Sequence, residues 1–477
     1  MLLIKKNALN EKIILAIILL IAYVLRIYKL DSNSIWLDEG GSIWIASQNN
    51  ISEFFLGLIH NWQQPLYHII LHFWICIFGK SEYSVRFPSV IFDLLTILMT
   101  YKIGKLLFDK NLGILCSLLM GISTFHLGYS QQARPYTLLT FLASLSIYFF
   151  IALLKKVDFK NLIIYAISST LLIYCHTFGL FIILAQNIYI FTKIIFRKNN
   201  QIPTLKSWIS SQLTILVLFL PWLTTVINQL HNRSALALSE KISFSTLIHT
   251  FTVYYCSSKF LLIIFILLII TNMIFSKDKD KLYLLFLLFL FPIIVLYTIA
   301  KMKLQIYMHA YTLTCTVPFY LLVAGGLTKL HKYIRLILLI VVILFSLIDI
   351  RSYYAGTPSF GHLPSQWKEV VNFIDKNATN KDLLIFDPWY NENFLYNYYS
   401  KRNDLIKRGY SNLYSEPGFI NINNSDSYFK NYKKIWFIYS DISEGEKSLE
   451  VIVQKTHKLI IDRNKYIYPE IKIYESR

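Results

Sequence analysis

Long apolar blocks alternate with short polar segments along the first 350 residues of the chain. Most blocks are roughly 18 to 22 residues long, which as helix is enough to cross a hydrocarbon core of about 30 Å. The pattern predicts eleven membrane-spanning helices, at residues 13–30, 87–107, 112–129, 137–154, 160–176, 178–196, 208–227, 259–275, 283–300, 311–327 and 335–350. We therefore expect an all-α polytopic membrane domain over residues 1–350.

One apolar block, Pro65 to Phe78, is predicted to be a helix that lies at the outer membrane surface. It is too short for a straight crossing, and its tryptophan and histidine side chains are typical of the interface. If it crossed, the following loop with Lys102, Lys105 and Lys110 would face outside. The first outside loop then runs over residues 31–85, with interfacial helices inside it.

The distribution of Lys and Arg predicts the orientation of the helices. With the N-terminus inside, the inside segments carry 19 Lys and Arg, and the outside loops before the C-terminal tail carry 7. Basic residues accumulate on the cytoplasmic side of membrane proteins. We therefore expect a multi-pass protein of the cytoplasmic (inner) membrane with its C-terminus outside.

After Ile350 the apolar blocks end and helical and strand patterns alternate. The predicted elements are a helix over Gln366–Lys376, strands over Asp382–Asp387 and Lys434–Tyr439, a helix over Glu444–His457 and a last strand or hairpin over Tyr466–Tyr474. This alternation predicts a small α/β extracytoplasmic domain over residues 351–477. Its aromatic stretch, Trp389 to Tyr399, is consistent with stacking on sugar rings or with a plain hydrophobic core.

Composition excludes two classes of function. The net charge is +19, but the basic residues lie at the ends of apolar blocks and form no basic stripe, so no nucleic-acid partner is expected. The five cysteines form no CxxC pair, which leaves no zinc-finger or redox motif.

Two adjacent carboxylates, Asp38 and Glu39, follow the first span. One of them could take a proton from a hydroxyl group as a general base, or both could mark a solvated helix start. Arg134 lies in a later outside loop, where its guanidinium could hold a phosphate or anchor the chain at the surface. His176 lies in another outside turn, where it could bind a phosphate or a metal or anchor the chain at the membrane surface.

Histidine spacing gives a weaker indication of a metal site. His68 and His72 are four residues apart on one helix face, a spacing that zinc ligands use, but the sequence offers no third partner. Whether a divalent metal takes part is left open by the sequence.

These segments, in their order, resemble the GT-C superfamily of polytopic glycosyltransferases, in the branch of protein O-mannosyltransferases and lipid A aminoarabinose transferases. The motifs that carry the resemblance are Trp36-Leu-Asp38-Glu39, Gln63-Gln-Pro-Leu-Tyr67, Arg86-Phe-Pro-Ser89, Tyr129-Ser-Gln-Gln-Ala-Arg-Pro-Tyr136 and His176-Thr-Phe-Gly179. The first motif matches the family's catalytic aspartate, and the fourth matches its second outside loop, which approaches the donor phosphate.

The resemblance implies an inverting transferase that moves a sugar from a polyprenyl-phosphate donor, bound from the membrane, to an acceptor hydroxyl of a cell-envelope glycan, lipid or protein. It implies the following site residues: Asp38 and Glu39 for catalysis, Arg134, His176, His309 and Lys303 for the donor phosphate, and Gln63, Gln64, Tyr67, Gln132 and Tyr136 lining the substrate. Members often carry Arg before the tyrosine of the tenth span, where this chain has Ala310.

The alternative is a transporter or flippase of a lipid-linked glycan. A transporter usually places ionisable residues in mid-span and shows paired halves. Here Asp93 is the one such acid, and the other candidate residues lie in outside loops. This distribution favours the enzyme.

Overall fold

The computed structural model divides the chain into two compact units. It describes residues 2–196, 205–235, 244–253, 258–304, 307–356, 365–388, 390–409, 428–439, 451, 453–463 and 469–476. The first, which we call the membrane unit, comprises residues 1–28, 49–79 and 84–360, and the second, the C-terminal unit, comprises residues 29–48, 80–83 and 361–477. The sequence analysis placed residues 29–48 with the membrane helices, whereas their contacts group them with the C-terminal unit.

The described residues form sixteen α-helices of at least ten residues and the seven-residue helix α7. They are α1 Leu2–Ile27, α2 Leu37–Ala46, α3 Ile51–His60, α4 Pro65–Phe78, α5 Glu82–Leu107, α6 Lys110–Gly121, α7 Thr124–Ser130, α8 Tyr136–Lys155, α9 Phe159–Cys175, α10 Gly179–Ile195, α11 Leu205–Ala235, α12 Phe244–Val253, α13 Lys259–Phe275, α14 Lys279–Ile299, α15 Thr316–Lys329, α16 Lys332–Tyr354 and α17 Trp367–Asn377.

Each predicted span coincides with a helix or a pair of helices. Five described helices are long and apolar enough to cross a membrane, or six if the bent pair α6 and α7 is one span. The apolar helices α9, α10 and α13 have 17 residues each, which at 1.5 Å per residue is slightly less than the hydrocarbon thickness. The fold class is confirmed, and the count of eleven crossings stays a prediction.

The helix predicted over residues 65–78 is confirmed with these bounds. Pro65 begins it at a position where the missing N–H costs nothing. Gly79 ends it with a φ of 75°, a left-handed conformation that favours glycine.

A buried ion network joins four helices of the membrane unit. The Arg26 Nε atom donates to Asp93 Oδ2 at 2.5 Å, and the other carboxylate oxygen of Asp93 lies 2.6 Å from His126 Nδ1. The second ring nitrogen of His126 lies 2.7 Å from Thr316 Oγ1. All four residues are fully buried. Because a buried charge is costly unless paired, this network fixes α1, α5, α7 and α15 against each other.

The C-terminal unit contains a five-stranded sheet. The strands are β1 Leu383–Asp387, β2 Ile406–Gly409, β3 Lys434–Tyr439, β4 His457–Arg463 and β5 Glu470–Ser476, in the order β2-β1-β3-β5-β4. β1 pairs in parallel with β2 and β3, and β5 pairs antiparallel with β3 and β4.

Alternate residues of β3 face opposite sides of this sheet, as the period of two requires. Ile435, Phe437 and Tyr439 belong to one hydrophobic core. The ring of Trp436, on the other side, lies 5.9 Å from that of Phe373 on α17.

The predicted α/β pattern of this unit is confirmed for α17, β1, β3 and the described part of the last strand. Most of the predicted helix Glu444–His457 lies outside the described residues, and His457 itself begins strand β4, so the helix does not extend to it. Trp389 also lies outside the described residues. Tyr396 is fully buried against Phe386, which favours the core interpretation for this aromatic residue.

Candidate active site

Helix α2 carries the two candidate carboxylates at its first turn. The Glu39 carboxylate accepts a hydrogen bond from the Trp36 backbone N–H at 3.3 Å, the reciprocal half of a capping box, and Glu39 is fully buried. Asp38 is half-buried in the preceding position. The geometry therefore gives Glu39 a capping contact at the start of α2 and leaves Asp38 as the more accessible carboxylate.

The turn before α8 holds Arg134 in a buried position. Its Nη2 atom lies 3.3 Å from the Tyr136 hydroxyl, and the guanidinium carbon lies 5.5 Å from the centre of the Tyr136 ring. Ser89 of α5 donates its hydroxyl to the Arg134 carbonyl at 3.4 Å. Arg134 is 8% exposed. These contacts hold Arg134 in the turn, and a guanidinium is a planar group suited to binding an anion.

Aromatic rings connect Arg134 to two other parts of the membrane unit. The Tyr136 ring lies 6.1 Å from that of Tyr311, which in turn lies 4.8 Å from the His176 ring and 4.3 Å from the Phe178 ring. We call Arg134, Tyr136, His176, Phe178 and Tyr311 the arginine–aromatic cluster. Two of the sequence motifs thus meet at Tyr311, although they are far apart along the chain.

His68 on α4 belongs to the electrostatic surroundings of Arg134. Burial and, to a smaller extent, the positive charge of Arg134 together lower the pKa of His68 to about 4, against the opposing effect of the Gln64 carbonyl. His68 Nδ1 lies 2.9 Å from that carbonyl, which can only accept, so Nδ1 carries the proton. The neutral ring then offers Nε2 as an acceptor, and this buried atom has no hydrogen-bond partner among the described residues.

Two further buried polar atoms near Arg134 along the chain lack hydrogen-bond partners in the described structure. They are Gln132 Oε1 and Thr137 Oγ1. Buried polar groups are normally satisfied. Gln132 and Thr137 are therefore candidates for contact with a polar ligand.

The predicted substrate-lining residues of the second motif have internal partners. Gln64 accepts from Trp222 Nε1 at 2.7 Å and thereby joins α11 to the turn before α4. Gln63 donates its side-chain amide to the Asn61 carbonyl at 3.0 Å. Tyr67 is fully buried, with its ring 5.5 Å from that of His68. Gln63 and Gln64 therefore shape the turn, and Tyr67 packs beside the imidazole.

His309 lies on the same 3-10 turn as Tyr311 but has different neighbours. Its Nδ1 atom lies 3.2 Å from Thr250 Oγ1, and its ring lies 5.0 Å from that of His249. The side chain of Lys303 lies outside the described residues. Ala310 is fully buried, so the arginine that related proteins often have here could not be accommodated without displacing its neighbours.

The two candidate metal ligands, His68 and His72, lie one turn apart on helix α4. The described residues contain no group of three or more His, Cys, Asp or Glu side chains that could hold a metal ion. His72 has its ring 6.0 Å from that of Phe54, and its Nε2 atom lies 3.8 Å from the Cys76 sulfur. His68 and His72 therefore have no third candidate metal ligand among the described residues.

Sequence reasoning missed three contributors to this site. His68 was considered only as a metal ligand, although the buried Pro65–Leu71 face of α4 indicates an inward histidine. Tyr311 was noted only as the neighbour of Ala310. Gln131, whose amide donates to the Arg26 and Tyr28 carbonyls at 2.9 and 2.8 Å, fixes the Arg134 turn to α1, and local sequence contains no signal for that.

The fold and the cluster define a polytopic membrane protein with the architecture of the GT-C glycosyltransferases. The model of the dolichyl-phosphate-mannose-protein mannosyltransferase family matches residues 63–225, which include α4, the Arg134 turn and His176. The resemblance inferred from the sequence motifs is thereby confirmed.

Solved structures with the same fold extend the comparison to nearly the whole chain. ArnT from Cupriavidus metallidurans bound to undecaprenyl phosphate is 11% identical, with a TM-score of 0.65 over 96% of this chain and 97% of that one. Its apo structure gives 0.63 over 98% of both chains. AglB, the oligosaccharyltransferase of Archaeoglobus fulgidus, in complex with an inhibitory peptide and a dolichol-phosphate, is 12% identical, with a TM-score of 0.53 over 90% of this chain and 69% of that one.

A sequence relative adds little about function. An uncharacterised protein of Aquifex aeolicus is 25% identical over 139 residues. The match spans 28% of this chain and 28% of that relative.

Proposed function

We propose that this protein is a membrane glycosyltransferase that moves a sugar from a polyprenyl-phosphate donor to an acceptor hydroxyl on the outer side of the cytoplasmic membrane. The observation that carries the proposal is the arginine–aromatic cluster, which holds a buried guanidinium in the turn before α8 of the membrane unit. A structure of the same fold was solved with undecaprenyl phosphate. A guanidinium is well suited to such a monoester.

In the proposed reaction, an acceptor hydroxyl replaces the polyprenyl phosphate on the donor sugar. Asp38 accepts the proton of the acceptor hydroxyl, whose oxygen attacks the anomeric carbon of the donor. The bond from that carbon to the phosphate oxygen breaks, and the polyprenyl phosphate leaves with the electron pair. Attack opposite to the leaving group inverts the anomeric configuration.

The leaving phosphate needs charge stabilisation more than it needs a proton, because it is already ionised. Arg134 supplies a fixed positive charge, and the buried surroundings strengthen its effect. Neutral His68, with Nε2 as an acceptor, and the hydroxyl of Thr137 suit hydroxyl groups of the donor sugar. His176 lies in contact with Tyr311 and adds a polar edge to the aromatic surface.

Product formation separates this function from transport of a lipid-linked glycan. Cells that lack the protein should accumulate one polyprenyl-phosphate-linked sugar. Adding the purified protein to their membranes should release free polyprenyl phosphate, detected by liquid chromatography and mass spectrometry, and the Asp38→Asn variant should release at least about 100-fold less. A flippase would leave the total amount of lipid-linked sugar unchanged, and that result would contradict the proposal.

A further inference from the structure

The segment with Asp38 belongs to the C-terminal unit, although the helices on either side of it in the sequence belong to the membrane unit. Residues 29–48 belong to the same compact unit as residues 361–477, whereas residues 49–79 of the same loop belong to the membrane unit. The first outside loop is therefore divided between the two units. The carboxylate and its immediate support are both found in the C-terminal unit.

Hydrogen bonds from the C-terminal domain hold the backbone just before helix α2. The Ile35 N–H donates to the Tyr399 hydroxyl at 2.7 Å, and the Ile35 carbonyl accepts from Ser365 Oγ at 3.0 Å. One residue earlier, Ser34 Oγ accepts from the Lys368 backbone N–H at 3.2 Å. Both polar groups of the Ile35 backbone are thus used, and its side chain is fully buried. This leaves the approach to α2 little freedom.

The body of α2 packs directly on the backbone of the same domain. A Cβ atom at Gly40 would lie 2.5 Å from the Phe394 carbonyl oxygen and 2.9 Å from Leu395 Cδ2. At Gly41 the nearest atom would be Cε2 of the Phe394 ring, at 3.4 Å, which is ordinary contact. The rings of Trp44 and Phe394 lie 5.5 Å apart. The helix can approach this closely because residue 40 has no side chain.

We propose that residues 365–399 form a clamp that positions Asp38 for catalysis, with Tyr399, Ser365 and the Gly40–Phe394 contact as its positioning elements. The proposal rests on the proposed function, since it takes Asp38 as the base. A displacement of about 1 Å at a reacting group can cost about 100-fold in rate. Residues 365–399 then influence catalysis by positioning Asp38, although they do not supply the base. Their sequence alone does not reveal this role.

Three variants of the full-length protein test the clamp. Gly40→Ala forces α2 away from the Phe394 carbonyl, and Tyr399→Phe removes the hydrogen bond to the Ile35 N–H. Gly41→Ala is the matched control, because it adds the same methyl group one residue later without a clash. Each variant is measured for sugar transfer in the membrane assay above, for binding of undecaprenyl phosphate, and for hydrogen exchange of peptides covering residues 30–48.

We expect Gly40→Ala to reduce transfer by about 10-fold to 100-fold, with Tyr399→Phe reducing it less. Both should raise hydrogen exchange over residues 35–46, and both should bind undecaprenyl phosphate as the native protein does. Gly41→Ala should match the native protein in all three measurements. If Gly40→Ala does not fold, Tyr399→Phe decides the question.

Native transfer in both Gly40→Ala and Tyr399→Phe would overturn the clamp, as would an equal loss in Gly41→Ala. Lost transfer with unchanged exchange over residues 35–46 would overturn it as well. The Asp38→Asn variant separates this result from the underlying function. Full transfer by that variant refutes Asp38 as the base, whereas the exchange data report on the clamp contacts whatever the reaction is.

Discussion

Two groups of buried polar side chains in the membrane unit differ in how they are satisfied. In the ion network, Asp93 is held between Arg26 and His126 at 2.5 and 2.6 Å. Near Arg134, by contrast, Gln132 Oε1 and Thr137 Oγ1 have no hydrogen-bond partner among the described residues. Paired charges inside a membrane domain stabilise one arrangement of helices, whereas unsatisfied polar atoms are the kind that a ligand completes. Arg26 Nη2 in the network also lacks a hydrogen-bond partner among the described residues, so the pairing of charges, and not complete satisfaction, distinguishes the two groups.

The largest effect is expected in the ion network. Asp93→Leu leaves Arg26 buried without its carboxylate, which should lower the free energy of unfolding by about 3–5 kcal/mol. Thermal unfolding in detergent measures this. Adding Arg26→Met should restore much of the loss, because a buried ion pair can often be replaced by apolar side chains. An unchanged unfolding temperature in Asp93→Leu would mean that the network is not structural.

Arg134→Ala should act on binding more than on stability. Charged hydrogen bonds contribute about 1.5–3 kcal/mol, so the affinity for undecaprenyl phosphate should fall by roughly 10-fold to 100-fold. Arg134→Lys should lose less, since it keeps the charge but not the planar fork. Native mass spectrometry of the detergent-solubilised protein can measure the affinity.

Lys193→Ala is the matched control for Arg134→Ala. Lys193 is a second buried cation of the membrane unit and pairs with Asp280 at 2.5 Å. Its removal should leave lipid-phosphate binding unchanged. Equal losses of affinity in the two variants would show that Arg134 contributes only to the net positive charge.

The next largest effect is expected from a substitution of His68, which should change the pH dependence of the free energy of unfolding. The His68 pKa of about 4 lies below the ordinary value of 6.5 because burial disfavours the charged ring. The unfolded chain therefore binds the proton more readily, and stability is lost as pH falls from 6.5 towards 4. Between pH 7.5 and 5.5 the loss should be about 1 kcal/mol.

His68→Asn should remove this part of the pH dependence, as measured by thermal unfolding at both pH values. His72→Asn, four residues further along α4, is the control for the loss of an imidazole. A pH dependence that is unchanged in His68→Asn would show that other groups produce it.

The smallest effect on stability is expected at Thr137. Thr137→Val removes a hydroxyl group that has no hydrogen-bond partner among the described residues, so stability should change by less than about 0.5 kcal/mol while sugar transfer falls. Thr140→Val is the contrast on the same helix, since Thr140 donates to the Tyr136 carbonyl at 2.9 Å. Thr140→Val therefore removes a hydrogen bond within helix α8. Native transfer in Thr137→Val would show that the substrate does not use this hydroxyl.

The local pattern of apolar residues was sufficient to predict elements that have one continuous apolar run with clear ends. The bounds of α4 and β3 follow directly from apolar runs that end at Gly79 and at charged residues. Strand β2 was missed because Ile406-Lys-Arg-Gly409 is short and polar, and β4 because its pattern follows a segment that reads as helix. Edge strands of this kind depend on their neighbours for pairing.

The site could be predicted only residue by residue. Motif order indicated Asp38, Arg134 and His176, but their surroundings depend on contacts between distant parts of the chain. The Ile35 contacts with Ser365 and Tyr399 join positions more than 300 residues apart. No local pattern can show that the loop with Asp38 packs on the C-terminal domain. The same holds for the contact between His176 and Tyr311.

The central claim is that this protein transfers a sugar and that Asp38 is the base. The most direct test is mass spectrometry of cell-envelope glycans, lipids and proteins from three strains, which carry the native gene, no gene or the Asp38→Asn variant. We expect one acceptor species to carry an added sugar mass in the native strain and to lack it in the other two. The same sugar mass on that acceptor in the Asp38→Asn strain, or an envelope unchanged by loss of the gene, would contradict the account.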